Sequence, residues 1–231
     1  MLFSDRKPAT SERVSVIGLG RFGSSVARTL HELGYEVTAI DLDEHLIQEA
    51  SDWVTLAAQG DGNDRELLLQ LHIDKSDVVV VAQGENLEAS VLATMLLKKL
   101  NVPWVVSKAK TALHGELLAK VGADRIVFPE LDAGVRLAHS LGVRHIRDYI
   151  TLSPNAGIAK LTAPFNLVGH TIESCTGSNS KLNVLLIKRG TDLITVPHYQ
   201  EIIQVNDELV IVGADADIER FAEAKPQSNR A

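Results

Sequence analysis

Between residues 13 and 141, six short runs rich in β-branched residues alternate with longer amphipathic segments. Parallel strands need such an alternation, because each strand must be joined to the next by a crossover that is usually a helix. Gly34, Pro103 and Gly122 mark the ends of helical segments. The pattern therefore predicts a Rossmann-type, doubly wound parallel α/β sheet. The predicted strands are residues 14–17, 36–40, 53–57, 77–81, 104–106 and 125–128, and the predicted helices are residues 22–33, 44–50, 64–71, 86–100, 112–121 and 130–141.

After residue 142 the pattern changes to short strands with turns, which predicts a small C-terminal α+β lobe. Strands are expected within residues 149–164, 183–197 and 208–213, and short helices at residues 167–175 and 215–223. The expected organisation is an N-terminal arm (1–12), a nucleotide-binding domain (13–141), a C-terminal lobe (142–225) and a tail (226–231).

Composition excludes several functional classes. The formal net charge of −7 argues against a nucleic-acid partner, because phosphate neutralisation needs an excess of Lys and Arg. No apolar stretch approaches the ~20 residues that span a bilayer. Cys175 is the single cysteine, so no intramolecular disulfide forms, which fits a reducing compartment. These observations predict a cytoplasmic protein.

The segment from Gly18 to Gly23 reads Gly-Leu-Gly-Arg-Phe-Gly and lies between a predicted strand and a predicted helix. Gly18 allows a tight turn, Gly20 lets phosphate oxygens approach the backbone, and Gly23 lets the helix pack close to the sheet. The helix N-terminus then presents its N–H groups to an anion. The alternative is a glycine-rich turn with a structural role only, but the context on both sides favours a phosphate site.

Asp41 follows the second predicted strand at the spacing expected of a ribose-binding acid. A carboxylate there accepts hydrogen bonds from ribose hydroxyls and repels a 2′-phosphate, which disfavours NADP. The alternative is that Asp41 caps the next helix, although Asp43 suits that role better. Arg21 is unusual in such a loop: its guanidinium either contacts a terminal phosphate or stays solvated at the surface.

Several runs together resemble one protein family. They are residues 16–23 (Val-Ile-Gly-Leu-Gly-Arg-Phe-Gly), 39–43 (Ala-Ile-Asp-Leu-Asp) and 122–130 (Gly-Ala-Asp-Arg-Ile-Val-Phe-Pro-Glu), with Gly60-Asp61, residues 80–82 and Lys108-Ala109 between them. This combination closely resembles the RCK (KTN) domains, which join a TrkA-N and a TrkA-C part, and among them the regulatory subunits of bacterial Ktr-type potassium uptake systems. The second lobe is similar more loosely, through residues 188–190 and 206–210, with Asn206-Asp207 where the family typically has Gly-Asp.

The resemblance implies a site for ATP or ADP, and residue chemistry alone does not separate these from NAD or NADH. By this resemblance, Arg21 contacts phosphates, including the γ-phosphate of a neighbouring subunit's ATP, and Asp41 holds the ribose. Glu130 lies near the phosphates and carries a divalent or monovalent cation, or else opens a helix as a first-turn acid. His114 is either a ligand contact or a helix-surface residue. The implied contacts are Gly18, Gly20, Arg21, Phe22, Gly23, Asp41, Leu42, Asp43, Asp61, Gly62, Gln83, Gly84, Glu85, Lys108, Ala109, Lys110, His114 and Glu130.

The second lobe lacks a recognisable catalytic set, since its histidines and lysines are scattered without a common motif. We therefore predict that the chain is not an enzyme, with an NAD-dependent oxidoreductase and a nucleotide carrier without output as the alternatives. A protein that binds a charged ligand without catalysing a reaction can act as a switch, if the ligand binds two conformational states of the protein with different affinities.

The resemblance implies how such a switch is assembled. It implies homodimers that form an octameric ring on a membrane potassium-translocating subunit, at the inner face of the membrane, with ATP activating and ADP inhibiting. The predicted helix at residues 130–141 has apolar residues on more than one face. Such a helix either crosses to a second subunit or packs against its own sheet, and periodicity does not separate the two.

Overall fold

The computed structural model describes residues 13–84, 86–142, 145–177 and 181–223. Glu85, one of the implied ligand contacts, lies outside the described residues, as do the predicted arm and tail. The chain forms two compact units, the first ending at Glu130 and the second beginning at Leu131. Among the described residues, no helix combines the length and the apolar character needed to cross a membrane.

The first unit contains a six-stranded parallel sheet, as the sequence predicted. Its strand order is β3-β2-β1-β4-β5-β6, in which the direction of winding reverses between β1 and β4. Open α/β sheets bind ligands at such a reversal, beyond the carboxyl ends of the strands. The strands are β1 (Arg13–Ile17), β2 (Glu36–Asp41), β3 (Leu56–Gln59), β4 (Val78–Val81), β5 (Trp104–Lys108) and β6 (Arg125–Val127).

Both faces of this sheet are buried, which explains the continuous apolar runs in its central strands. Along β1, Val14 and Val16 pack into the cluster on one face, whereas Ile17 packs into the cluster on the other. Helices cover both faces, and their boundaries lie within two residues of the predicted ones. They are α1 (Arg21–Glu32), α2 (Glu44–Ser51), α3 (Arg65–Gln70), α4 (Leu87–Lys99) and α5 (Ala112–Lys120).

The third strand begins later than predicted, at Leu56 instead of residue 53. The N–H groups of Trp53 and Val54 both donate to the carbonyl of Ala50, each at 3.0 Å. These two residues therefore continue the turn that ends α2 and cannot be extended. Their side chains still pack against the core, so their apolar character comes from burial beside the sheet and not from a place within it.

The second unit holds an antiparallel sheet of order β10-β9-β11-β8-β7, covered by a C-terminal helix whose Ile218 and Phe221 enter the core. The predicted helix at residues 215–223 is confirmed. The elements are α6 (Pro129–Gly142), β7 (Ile146–Ser153), β8 (Ala156–Thr162), α7 (Ile172–Thr176), β9 (Asn183–Arg189), β10 (Asp192–Thr195), β11 (Glu208–Ala214) and α8 (Asp215–Glu223).

Two boundaries in this region differ from the expectations. The single helix expected at residues 167–175 is a 3₁₀ turn, Phe165–Leu167, followed by α7, because Gly169 with φ +84° interrupts any continuous helix. The division between the units falls in the first turn of α6, earlier than residues 141/142. Later turns of α6 contact β7: Arg136 forms a bidentate pair with Asp148, and His139 stacks on Tyr149 with ring centroids 3.9 Å apart.

Candidate nucleotide site

The glycine-rich loop connects β1 directly to α1, as the sequence predicted. Gly18 has φ +96°, a conformation that residues with a side chain rarely adopt. A Cβ added at Gly23 would lie 1.8 Å from the carbonyl oxygen of Gly18, so only glycine lets α1 approach the strand this closely. A Cβ added at Gly20 would meet nothing within 4 Å, which leaves open space above the loop. The loop therefore has both the close packing and the free volume that a phosphate cradle requires.

The N-terminus of α1 differs from those of the next four helices. Helices α2, α3, α4 and α5 each begin with a side chain that accepts a hydrogen bond from a first-turn N–H group. Helix α1 begins after Gly20, has no side-chain cap and has no acidic residue in its first turn. Its first-turn N–H groups therefore have no side-chain acceptor, and they and the positive end of the helix dipole can attract an anion.

Asp41 ends β2 and points its carboxylate at the same loop. One oxygen accepts a hydrogen bond from the N–H of Leu19, and the other accepts one from the N–H of Asp43 at 2.9 Å. Asp43 is the N-cap of α2, where its side chain accepts from the N–H of His45. The capping role thus belongs to Asp43, and Asp41 orients the glycine-rich loop through Leu19. The bond to Leu19 is a contact that sequence reasoning missed.

Two buried polar atoms in the loops that follow β3 and β4 have no partner among the described residues. These are Oε1 of Gln83, just after β4, and Oδ1 of Asn63. An unpaired buried acceptor costs free energy until a donor reaches it. Gln83 lies against Gly18 and Gly62, where an added Cβ would be 3.0 Å and 3.4 Å from its side-chain atoms. Asn63 was not among the predicted contacts, although it directly follows Asp61 and Gly62.

Lys108 ends β5 and is only 8% exposed, an unusual burial for a lysine. Its ammonium lies 2.8 Å from Oε1 of Glu130 and 6.0 Å from the centroid of the Phe22 ring. The hydrogen bond from Lys108 holds the pKa of Glu130 below its ordinary value, and the charges of Lys108 and Arg21 act in the same direction. Phe22, Lys108 and Glu130 therefore lie close together, with Arg21 close enough to Glu130 to act electrostatically.

His114 is 2% exposed, so the alternative of a helix-surface residue is wrong. Its Nδ1 accepts from the N–H of Lys110 at 3.3 Å, which leaves Nε2 protonated to donate to Oγ of Ser90 at 2.8 Å. Ser90 in turn donates to the carbonyl of Leu87. Burial lowers the pKa of His114, in agreement with this neutral ring. Both ring nitrogens form hydrogen bonds within the protein, and a direct contact between His114 and a nucleotide stays a prediction.

The remaining implied contacts surround the same strand ends. Asp61 is exposed and its Oδ1 accepts from the N–H of Asn63, which shapes the turn before α3. Leu42 is 62% exposed, next to the Asp41 carboxylate. Ala109 is buried, and Gly84 packs against the Lys108 stem, with a would-be Cβ 2.9 Å from its Cγ and Cδ. These placements agree with a ligand at the sheet edge without assigning an individual contact.

A cation bound by Glu130 would need ligands from elsewhere. Within residues 13–84, 86–142, 145–177 and 181–223, no group of three or more His, Cys, Asp or Glu side chains is arranged to hold a metal ion. Glu130 is also paired with Lys108, and ammonium and metal ion compete for the same carboxylate. One chain therefore does not fit a cation by itself; phosphate oxygens or a second subunit would have to complete the site.

The fold defines a domain of the Rossmann-type nucleotide-binding class followed by a small lobe built on an antiparallel sheet. Residues 14–129 match the TrkA-N domain and residues 158–225 match the TrkA-C domain. The chain belongs to the family of the Ktr system potassium uptake proteins. It is 38% identical to protein C of Bacillus subtilis (strain 168) over 208 residues, which covers 90% of this chain and 94% of the relative. Protein A of the same organism is 38% identical over 212 residues, covering 91% and 96%.

The resemblance found in the sequence is thereby confirmed. So is the prediction that the chain is not an enzyme, because these relatives are potassium uptake proteins. Among solved structures, the GsuK RCK domain has a TM-score of 0.64 at 19% identity, covering 95% of this chain and 49% of that one. The GsuK channel bound to NAD has a TM-score of 0.62 at 19% identity, covering 95% and 41%. The chain spans about half or less of those two chains, and at this identity the likeness shows the fold alone.

Proposed function

We propose that this chain is the nucleotide-sensing regulatory subunit of a Ktr-type potassium uptake system, activated by ATP and inhibited by ADP. The observation that carries the proposal is the uncapped N-terminus of α1, which faces the same sheet edge as the Asp41 carboxylate. Together they offer donors to a phosphate and acceptors to a ribose. The two relatives in Bacillus subtilis, which match nearly their whole length, carry potassium uptake in their names.

Regulation requires that ATP and ADP stabilise different states, and they differ by one phosphate. Arg21 is the exposed cation of the loop, and it lies close enough to Glu130 for the two charges to interact. In the proposed mechanism its guanidinium meets the terminal phosphate of ATP, in its own site or in that of a neighbouring subunit. A charge-assisted hydrogen bond of this kind contributes about 1.5–3 kcal/mol, enough to shift a balanced two-state equilibrium strongly.

We expect Arg21→Ala to lower the affinity for ATP by about tenfold and the affinity for ADP by less than about threefold, because only ATP loses a charge-assisted contact. Isothermal titration calorimetry with both nucleotides measures the two changes. Arg28→Ala is the matched control: Arg28 lies on the same helix but stacks 4.5 Å from the Trp53 ring centroid, so neither affinity should change. Equal losses for ATP and ADP would show that Arg21 does not distinguish the terminal phosphate.

The proposed function itself is tested by a thermal-shift screen of the wild type with ATP, ADP, NAD and NADH. If none of these nucleotides stabilises the chain, the proposed function is overturned.

The partner is a membrane subunit that conducts potassium, to which this chain attaches from the cytoplasmic side as part of a homodimer or a ring of homodimers. Helix α6 supports the dimer. None of its described side chains is buried, and Leu131, Leu137 and Leu141 are 64%, 58% and 77% exposed. Of the two readings of its apolar faces, this exposure favours contact with a second copy over packing against its own sheet.

Leu137→Asp is expected to shift the chain from dimer to monomer, because it places a charge on this apolar helix. Light scattering coupled to size-exclusion chromatography measures the mass. Leu33→Asp is the control: Leu33 is 68% exposed at the end of α1, outside α6, and its replacement should leave the mass unchanged. A wild-type monomer, or a Leu137→Asp dimer as stable as the wild type, would contradict the assignment of α6 to the dimer contact.

A further inference from the structure

Lys108 is held in place by its surroundings more tightly than a lysine usually is. Its aliphatic stem lies against Gly84, where even a methyl group would be within 2.9 Å of Cγ and Cδ. Its side chain is 10% exposed, and its ammonium lies 2.8 Å from Oε1 of Glu130 and 6.0 Å from the centroid of the Phe22 ring. The cation is therefore fixed at the edge of the glycine-rich loop, where a phosphate would be expected.

Glu130, by contrast, lies mostly in solvent. Its side chain is 67% exposed, it lies in the first turn of α6, and its contact with the buried lysine is a single ion pair of 2.8 Å. The charges of Lys108 and Arg21 both act on its carboxylate, so both cations of the site are close enough to attract it. The Glu130 carboxylate thus supplies to Lys108 the negative charge that a phosphate group would otherwise supply.

We infer that Glu130 is an internal competitor of the nucleotide: its carboxylate neutralises Lys108 in the empty site, and a phosphate group of the bound nucleotide displaces it. This inference rests on the proposed function. Because Lys108 is fixed and Glu130 is exposed, Glu130 is the partner that moves when the phosphate takes over the ammonium. Binding thus releases the first turn of α6 from the sheet edge.

The displaced residue belongs to a helix that is anchored elsewhere. Farther along α6, the guanidinium of Arg136 binds both oxygens of Asp148 at 3.0 and 3.1 Å, and His139 stacks on Tyr149. Tyr149 is 2% exposed and donates its hydroxyl to Asp215, so β7 holds this contact firmly. One end of α6 is therefore set by the occupancy of the lysine, while its later turns are attached to β7.

The test is a double-mutant cycle measured by calorimetry with ATP in EDTA, so that no divalent cation bridges Glu130 and the phosphates. Glu130→Gln should tighten ATP binding about three- to fivefold, because ATP then no longer has to break the ion pair between Lys108 and Glu130. Lys108→Met, which keeps the apolar stem against Gly84, should weaken it. In the Lys108→Met background, Glu130→Gln should change the affinity by less than about 1.5-fold. Lys108→Gln repeats the cycle if the methionine variant fails to fold.

Two controls separate competition from a general charge effect. Asp132→Asn removes an acid in the same turn of α6 that has no ion pair in the described part of the chain, and its effect should not depend on Lys108. Adenosine carries no phosphate, so its affinity should not respond to Glu130→Gln. The inference is overturned if Glu130→Gln leaves ATP affinity unchanged or weakens it, or if its gain persists without Lys108. If the wild type binds ATP, those results overturn the inference on Glu130 but not the proposed function. If the wild type binds no nucleotide, both the inference and the proposed function are overturned.

Discussion

Asp41→Ala is expected to lower the affinity for ATP and ADP by at least about a hundredfold, since it removes acceptors for charge-assisted hydrogen bonds of about 1.5–3 kcal/mol each. The carboxylate has two tasks in the structure. It accepts from the N–H of Leu19, which orients the glycine-rich loop, and it ends β2 at the edge where the ribose of a nucleotide is expected. Losing it therefore removes the ribose acceptors and loosens the phosphate cradle together.

Calorimetry measures the loss, and Asp64→Ala is the matched control. Asp64 also follows a strand of the sheet, and it caps α3 by accepting from the N–H groups of Glu66 and Leu67. Its replacement should cost about 1 kcal/mol of stability and leave nucleotide affinity unchanged. Circular dichroism of Asp41→Ala should show an intact fold. If that variant binds ATP as the wild type does, Asp41 does not hold the ribose, and the loop does not depend on it.

Asp207→Ala is expected to lower the free energy of unfolding of the second unit by about 3–5 kcal/mol, as breaking a buried ion pair does. Asp207 is 0% exposed. Its oxygens accept from Nε and Nη2 of Arg189 at 3.0 and 2.9 Å and from the N–H of Gln204 at 2.9 Å. The hydrogen bonds that Arg189 donates to Asp207 raise the pKa of Arg189, so the guanidinium remains charged and would lose its principal partner.

Hydrogen exchange followed by mass spectrometry measures this loss within residues 145–177 and 181–223. Tryptophan fluorescence reports separately on the first unit, because Trp53 and Trp104, the two tryptophans of the chain, both lie there. Lys188→Ala is the control: Lys188 neighbours Arg189, but its side chain is 48% exposed and its pair with Glu208 spans 3.5 Å, so the cost should stay below about 1 kcal/mol. A similarly small cost for Asp207→Ala would mean that water replaces the carboxylate.

Much of the fold and part of the site were predictable, because the relevant signals are local in the chain. The alternation of apolar runs with amphipathic segments predicts strands and crossover helices, and the parallel sheet follows. Gly18 is needed for its positive φ, and Gly23, five residues later, is needed because the helix approaches the carbonyl of Gly18 too closely for a side chain. The errors arose where a local pattern had two structural meanings: the apolar side chains of Trp53 and Val54 pack beside the sheet, and Gly169 separates a 3₁₀ turn from α7.

The sequence by itself thus determined the sheet, the glycine-rich loop and Asp41, because each depends on residues that are close together along the chain or on a fixed strand-to-loop spacing. Only the tertiary structure decided which charges meet. The pairing of Lys108 with Glu130 and the burial of Asp207 against Arg189 join residues separated by 18 or more positions. The hydrogen bond of the buried His114 ring joins it to Ser90, which is 24 residues away. Hydrophobic periodicity specifies which face of a segment is buried; it does not specify which side chains of distant segments come within hydrogen-bonding distance once those faces pack.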